Sequence, residues 1–217
     1  MSLKDIRVSF VVLMLAVPLR TASGQVLGLP VHNAGVVSGI GIYGEGGWAN
    51  DDYGKATTFG GTVAAGFGKL GVTGTISSYN PDAAGPNVTS YGGTLNFRVF
   101  GGPLVPFSVT LQGGVGYAKP VGGVETLHFP VGAGIALNLP TPGLAIRPWI
   151  APRADVLHTS VSGTSNTDTK FGLSAGVDFS LLMGLAFRAS YDMVFADNGQ
   201  KPGIFGVGIG YHLNVPL

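Results

Sequence analysis

Residues 204–213 read IFGVGIGYHL, and this stretch decides the fold class. Large apolar side chains stand at every second position from Phe205 to Leu213, and the positions between them carry three glycines and then His212. Successive side chains of a β-strand point to opposite faces. The stretch therefore predicts a strand with one apolar face and one nearly bare face.

The same alternation recurs along the chain and predicts an all-β fold of ten antiparallel strands. Merging the less regular first and third segments would give eight strands instead. The predicted strands are Val36–Glu45, Phe59–Phe67, Leu70–Ser78, Tyr91–Val99, Phe107–Tyr117, Phe129–Leu139, Ile146–Val156, Phe171–Leu181, Leu185–Met193 and Ile204–Leu213.

The connections between these strands alternate in length. The segments 46–57, 80–89, 118–128, 158–169 and 196–203 are long and polar, whereas 68–69, 101–106, 140–144 and 182–184 are mostly short. This rhythm is typical of up-and-down transmembrane β-barrels, which have long external loops and short periplasmic turns. We expect Asp51, Asn87, Gly122, Ser165 and Gly199 on the outer face, with both chain ends on the periplasmic side.

The N-terminus has the features of a secretory signal. Lys4 and Arg7 precede a 12-residue apolar run, residues 8–19, and small residues follow at 21–24. The run is too short for a membrane-spanning helix of about 20 residues. We expect cleavage before Gln25, which divides the chain into a signal peptide (1–24), an N-terminal periplasmic segment (25–34) and the barrel (35–217).

Composition narrows the class of protein further. The chain is 45% hydrophobic and only 11% charged, against about 25% charged in an average soluble domain. Removing residues 1–24 takes away three basic residues and one acidic residue and leaves a net charge of −1, so no basic surface favours nucleic acid. Because the chain has no cysteine, neither disulfides nor thiolate metal sites stabilise it.

The charged residues of the strands lie on the small and polar face. A soluble barrel would not need glycine so densely on a solvent face, whereas small and polar residues suit a narrow lumen. Opposite charges inside a narrow barrel can pair and plug it, while abundant inward glycine favours a conduit. The predicted lumen charge network consists of Arg98, Arg147, Arg153, Asp155, Asp178, Arg188 and Asp192.

Aromatic residues on the apolar face fall mainly at strand ends. Eight strand residues at about 3.3 Å each, tilted by about 40°, rise roughly 20 Å, close to the apolar band between interfacial girdles. The predicted girdle residues are Phe59, Phe67, Tyr91, Phe97, Phe107, Tyr117, Phe129, Phe171, Phe179, Phe187, Tyr191, Phe205 and Tyr211.

Two tight turns predict the register of their hairpins. A two-residue type II′ turn at Gly68-Lys69 pairs residue 67 with residue 70 and residue 65 with residue 72 on the lipid face. A three-residue loop at 182–184 ending in glycine has the form of a G1 bulge. It places Phe179 opposite Phe187, Asp178 opposite Arg188 and Ser174 opposite Asp192. We expect the facing charges of Asp178 and Arg188 to pair, with Arg147 also within reach of Asp178.

With these features, residues 35–213 resemble the small outer-membrane β-barrels, the OmpA-like transmembrane domains and opacity-type proteins. The likeness rests on the signal peptide, the glycine-rich alternating strands and the final GIGYHL, residues 208–213. It implies a location in the bacterial outer membrane, contact with outer-membrane lipids and recognition of the last strand by the barrel-assembly machinery. It implies no cofactor and no surface partner of known identity.

Two motifs invite catalytic interpretations. Residues 39–44 fit G-x-G-x-x-G but lack the following helix that a dinucleotide site needs. Residues 172–176 fit G-x-S-x-G, yet Ser174 lies inside an alternating strand rather than at a strained turn. His128, His158 and His212 are candidate bases, but the histidines lack metal-ligand spacing.

The sequence therefore predicts a barrel without catalytic activity, with a structural or surface-contact role exerted through its external loops. A narrow pore for small solutes is the first alternative. An outer-membrane hydrolase using Ser174 comes next, and a soluble secreted ligand-binding barrel comes last.

Overall fold

The computed structural model describes residues 26–31, 39–83, 85–102, 105–120, 123–197 and 199–213. The predicted signal peptide and its cleavage site before Gln25 lie outside these residues, as does Gly122. Within the described ranges, no helix is long and apolar enough to cross a membrane.

Antiparallel strands account for most of the described chain, and each of the ten predicted strands overlaps one of them. The strands are β1 (Gly39–Ala49), β2 (Ala56–Phe67), β3 (Leu70–Pro81), β4 (Val88–Phe100), β5 (Phe107–Ala118), β6 (Val124–Leu137), β7 (Leu139–Thr141), β8 (Leu144–Val161), β9 (Thr164–Leu181), β10 (Leu185–Phe195) and β11 (Gly203–Leu213).

The strands form a closed barrel in which consecutive strands pair, except β6 and β7, which both pair with β8, and in which β1 pairs with β11. The short β7 continues β6 beyond Asn138, since both pair with β8 in one register. The eleven segments thus form ten continuous strands of the barrel wall, which we call staves. This confirms the prediction of ten strands rather than eight. Closure leaves no free edge around the barrel wall, which a membrane-spanning sheet requires.

The predicted hairpin registers are confirmed. Phe67 pairs with Leu70 and Ala65 with Val72, and Gly68 has the positive φ of 60° that suits the first position of a type II′ turn. After the loop at 182–184, Phe187 lies opposite Phe179 and Arg188 opposite Asp178. Ser174 likewise lies opposite Asp192. These turns share one end of the barrel, the proximal end, with Gly39 and Leu213.

The opposite, distal end differs from the sequence prediction at β8 and β9. Residues 158–169 form a hairpin rather than a long loop, so Ser165 belongs to β9. Its two-residue turn, Ser162-Gly163, has positive φ at both positions, 48° and 87°, as in a type I′ turn. Both faces of this hairpin are polar, so the apolar alternation that marks the other strands is missing.

The two faces of the wall differ in chemistry as predicted. The outward face carries large apolar side chains that remain exposed, such as Ile42 at 63% and Leu95 at 61%. The inward face carries buried Thr, Ser, Asn and Gln, such as Thr58, Ser90 and Gln112. This arrangement is inverted relative to a soluble barrel and matches a barrel surrounded by lipid.

Residues 26–31, which the sequence analysis assigns to a periplasmic segment, lie inside the barrel. Val26, Leu29 and Val31 are 3%, 2% and 1% exposed and contribute large apolar side chains to the interior. Six residues with four apolar side chains would be poorly hydrated in the periplasm. We call residues 26–31 the lumen segment.

Candidate functional site

All seven charged residues of the predicted network lie on the inward face, on β4, β8, β9 and β10. Arg153, Asp155 and Asp192 are buried, and the other four are half-buried. They fall into two arginine-centred groups. We name them the distal cluster and the proximal cluster, after the end of the barrel to which each is nearer.

The distal cluster consists of His128, Arg153, Asp155, Ser174 and Asp192. The Arg153 guanidinium donates from Nε to Asp155 Oδ1 at 2.9 Å and from Nη2 to Asp192 Oδ1 at 2.5 Å. Its Nη1 donates to the Ser174 hydroxyl, and His128 Nε2 lies 2.8 Å from Asp155 Oδ1. Arg153 and Asp155 together thereby link four neighbouring staves, β6, β8, β9 and β10.

The glycines of the G-x-S-x-G motif make room for this cluster. A β-carbon at Gly172 would overlap Asp155 Oδ2 and stand 2.9 Å from Arg153 Cζ. One at Gly176 would stand 2.6 Å from the Trp149 ring. Because both glycines admit side chains from the neighbouring stave, packing accounts for their place in the motif.

The proximal cluster is built on Arg188 and consists of Tyr43, Glu45, Thr62 and Arg188. Arg188 Nη1 donates to Glu45 Oε1 at 3.0 Å, and the guanidinium lies 3.6 Å from the centre of the Tyr43 ring. Thr62 donates its hydroxyl proton to Glu45 Oε2 at 2.5 Å. Arg188 and Thr62 thus give each carboxylate oxygen of Glu45 one hydrogen-bond donor, and the Tyr43 ring adds a cation–π contact to the guanidinium.

The ion pair of Arg188 differs from the one that the sequence predicts. Asp178 is its cross-strand neighbour, as expected, but the guanidinium reaches Glu45 on β1. Gly208 of β11 lies between the two staves, and a β-carbon there would stand 2.8 Å from Arg188 Cγ and 3.2 Å from Glu45 Cγ. Since that position is bare, Arg188 can extend across β11.

Arg147 and Arg98 lie near the proximal end. Arg147 Nη2 donates to the Ser108 hydroxyl at 3.4 Å, and Arg98 Nη2 donates to the Gly68 carbonyl at 2.7 Å. Neither of these contacts joins the two clusters. The seven residues thus share a face without forming one continuous network through the contacts described here.

The inward glycines of β11 are filled by their neighbours. A β-carbon at Gly210 would overlap the Tyr43 ring, and one at Gly206 would stand 2.6 Å from Pro30 of the lumen segment. Gly208 likewise lies beneath Arg188. Side chains of other elements therefore cover the inward glycine face of residues 204–213, and this face does not line an open channel.

Glu45, Tyr43 and His128 were not predicted as members of the lumen network. All three lie on the inward face of the observed strands. Tyr43 and Glu45 belong to a strand that was predicted, so for these two the alternation itself contained the signal. Glu45 was missed because it ends the predicted first strand, where the alternation is least regular. His128 was missed because the predicted strand began at Phe129.

The predicted girdle residues all lie on the outward face. Most are well exposed, with Phe59 at 67%, and Tyr117 and Phe179 are half-buried. Outward ring pairs mark both ends of the barrel. At the distal end Trp48 stacks on Phe205 at 6.1 Å and Phe171 contacts Phe195 at 5.6 Å; at the proximal end Phe100 stacks on Phe107 at 4.9 Å.

The surroundings of Ser174 do not resemble those of an activated nucleophile. The residue is fully buried, and its hydroxyl accepts a hydrogen bond from Arg153, a group that cannot serve as a base. Among the described residues, no group of three or more His, Cys, Asp or Glu side chains could hold a metal ion.

No protein-family model matches the chain, and no curated protein sequence matches it. Solved structures do. The β-domain of the Bordetella autotransporter BrkA aligns with a TM-score of 0.51 at 14% identity, over 82% of this chain and 100% of that one. The N-terminal barrel of Pseudomonas aeruginosa OprF aligns with a TM-score of 0.39 at 12% identity, over 81% and 98%. The Escherichia coli protease OmpT aligns with 0.41 at 7% identity, over 81% and 94%.

At these identities the likeness shows the fold alone. A closed antiparallel barrel with an apolar outward face, which shares its fold with the BrkA β-domain, is an outer-membrane β-barrel. More particularly, it is a barrel of ten staves.

Proposed function

We propose that this protein is a non-conducting, non-enzymatic barrel of the bacterial outer membrane, which acts as a structural element and through its distal surface. The observation that carries the proposal is the filling of the lumen. Two arginine clusters and the lumen segment occupy the inward space that the glycines leave. Charges that satisfy one another across a narrow barrel act as a plug.

The distal surface supports a role in contact because its loops are joined to one another. The Asn50 side chain donates to the Lys201 carbonyl at 2.9 Å and accepts from the Gly203 amide at 3.0 Å. The Lys201 amide donates to Asp52 at 2.9 Å. These bonds tie residues 50–52 to residues 201–203, so part of the surface is pre-organised for binding.

The same proposal covers location and maturation. The signal peptide is cleaved before Gln25, outer-membrane lipids surround the aromatic-edged wall, and the barrel-assembly machinery recognises β11. The mass and N-terminal sequence of the protein purified from outer membranes test the first point. A mature chain that begins elsewhere than Gln25 would overturn it.

Planar-bilayer recording tests the absence of conduction. The folded protein, checked by its heat-modifiable mobility on gels, is expected to give no discrete current steps, whereas a general-diffusion porin reconstituted in the same way does. Current steps that scale with salt concentration would favour the narrow-pore alternative.

Cysteine labelling tests the orientation, since the native chain has no cysteine to confuse the result. A Ser162→Cys variant in the distal turn should react with a membrane-impermeant maleimide on intact cells. A Met183→Cys variant, in the proximal turn, should react only after the outer membrane is opened. The reverse pattern would place the distal end in the periplasm.

Hydrolase activity is tested with Ser174→Ala. Because Ser174 has the surroundings of a packing residue, we expect no hydrolysis of lipid or peptide substrates by the wild type. A wild-type activity that this variant abolishes, in a barrel that still folds, would overturn the non-enzymatic assignment.

A further inference from the structure

The lumen segment is held by polar groups aimed at its backbone. The Val31 amide donates to Asp192 Oδ2 at 2.6 Å, and the Leu27 amide donates to the Ser90 hydroxyl at 2.9 Å. The Ser77 hydroxyl donates to the Leu27 carbonyl at 3.0 Å. Both ends of the segment are therefore anchored, on β10 and on β3 and β4.

A glycine groove accommodates the middle of the segment. A β-carbon at Gly47 would overlap the Gly28 carbonyl oxygen, and one at Gly60 would stand 2.6 Å from Leu29 Cδ1. Gly206 receives Pro30 in the same way. These glycines lie on β2, β1 and β11, three consecutive staves, so the groove crosses the wall where the segment crosses the lumen.

The distal side of the segment is covered as well. Tyr53, in the connection between β1 and β2, is 4% exposed, and its hydroxyl accepts a hydrogen bond from the Gly28 amide at 3.3 Å. On the proximal side, a small cavity separates Leu29 and Pro30 from Glu45 and Arg188. The segment thus lies between a distal cap and the proximal cluster.

We propose that the distal half of the lumen is a binding site for an apolar peptide folded into a turn, occupied by the chain's own residues 26–31, which act as a tethered plug. The groove recognises main-chain N–H and C=O groups through Asp192, Ser77 and Ser90, and takes apolar side chains against glycine. Displacing the segment opens a polar passage. The inference rests on the proposed absence of conduction, which it explains.

Gly28→Val is the variant that prevents the lumen segment from binding in the glycine groove. Gly28 has a φ of 73°, and a side chain there would overlap the Thr58 hydroxyl. Gly199→Val is the matched control, because Gly199 has a φ of 78° and no atom within 4 Å of its added β-carbon. We expect current steps from Gly28→Val and from a deletion of residues 26–31, and none from the wild type or Gly199→Val.

A disulfide tests the position of the segment separately from conduction. Pro30 Cγ lies 2.6 Å from where a β-carbon of residue 206 would stand, so Pro30→Cys with Gly206→Cys should cross-link on oxidation. Ser108 faces inward at the proximal end, so Pro30→Cys with Ser108→Cys should not. Mass spectrometry of the folded protein reads both results.

The outcomes separate the two proposals. Failure of the 30–206 pair to cross-link would overturn the plug. The plug would also be overturned if the 30–206 pair cross-links but deletion of residues 26–31, in a barrel that still folds, gives no current steps. In that case the proposed function would stand. Wild-type current that the 30–206 cross-link abolishes would overturn the proposed function and support the plug.

Discussion

The two arginine clusters of the lumen use the same construction in different surroundings. In each, an arginine extends across a glycine of the next stave, Arg153 over Gly172 and Arg188 over Gly208, to reach a carboxylate beyond it. The side chains of the Arg153–Asp192 pair are both 0% exposed, whereas those of the Arg188–Glu45 pair are each 10% exposed.

The two clusters also differ in the partner of the second carboxylate oxygen, and this partner sets what each cluster couples. Asp192 gives one oxygen to Arg153 and the other to the backbone of the lumen segment, so the distal cluster couples barrel and segment. Glu45 gives its oxygens to Arg188 and Thr62, both on the wall, so the proximal cluster couples staves alone.

The largest expected effect is that of Arg153→Met. The change leaves Asp155 and Asp192 buried without their shared cation, and removing one partner of a buried ion pair costs about 3–5 kcal/mol. Urea unfolding of the detergent-solubilised barrel, followed by tryptophan fluorescence, should show this loss. Arg98→Met is the control, since that half-buried guanidinium donates to a backbone carbonyl and not to a buried carboxylate. Equal losses of unfolding free energy in Arg153→Met and Arg98→Met would show that the distal cluster contributes no more to stability than Arg98 does.

A smaller effect is expected from Gly172→Ala, which adds one methyl group beneath the distal cluster. Because its β-carbon would overlap Asp155, Arg153 and Asp155 must shift, at a cost of about 1–3 kcal/mol. Gly113→Ala, on β5, is the matched strand glycine with no atom within 4 Å of an added β-carbon. The urea midpoint of that control should stay at or above the wild-type value, and a fall like that of Gly172→Ala would refute the packing role.

Exchanging the charges of the proximal pair should give a moderate effect. Arg188→Glu alone places a second carboxylate beside Glu45, and Glu45→Arg restores an opposite charge. Coupled neighbours typically show interaction energies of about 0.5–3 kcal/mol in a double-mutant cycle. We expect recovery with Glu45→Arg and less recovery with Asp178→Arg. Better recovery with Asp178→Arg would restore the pairing that the sequence predicts.

The smallest effect is expected at the distal surface, with Lys119→Ala. Its ammonium lies 2.6 Å from the Glu125 carboxylate, and this hydrogen bond raises the pKa of Lys119. Both side chains are at least half exposed, so solvent screens the pair and its loss should not move the urea midpoint measurably. A midpoint shift as large as that of Gly172→Ala would show that the exposure of a pair does not determine how much it contributes to stability.

The alternation of side chains determined much of this protein in advance. It predicted ten staves, the apolar outward face, the inward position of Arg153 and Asp192, and the registers of two hairpins. These features are local, because a period of two and the length of a tight turn fix which residues of neighbouring strands oppose each other. The hairpin at Ser162-Gly163 escaped prediction because it extends beyond the apolar band, where neither face needs to be apolar.

The tertiary structure alone decided which non-neighbouring groups meet in the lumen. Arg188 and Glu45 lie on staves β10 and β1, whose proximity depends on closure of the barrel by β11. The lumen segment has no strand register at all, and its place follows from glycines on three staves that form a groove only once the wall is curved and closed. Strand periodicity specifies the face on which a side chain lies, but the partners across a lumen depend on the curvature and stagger of the whole barrel.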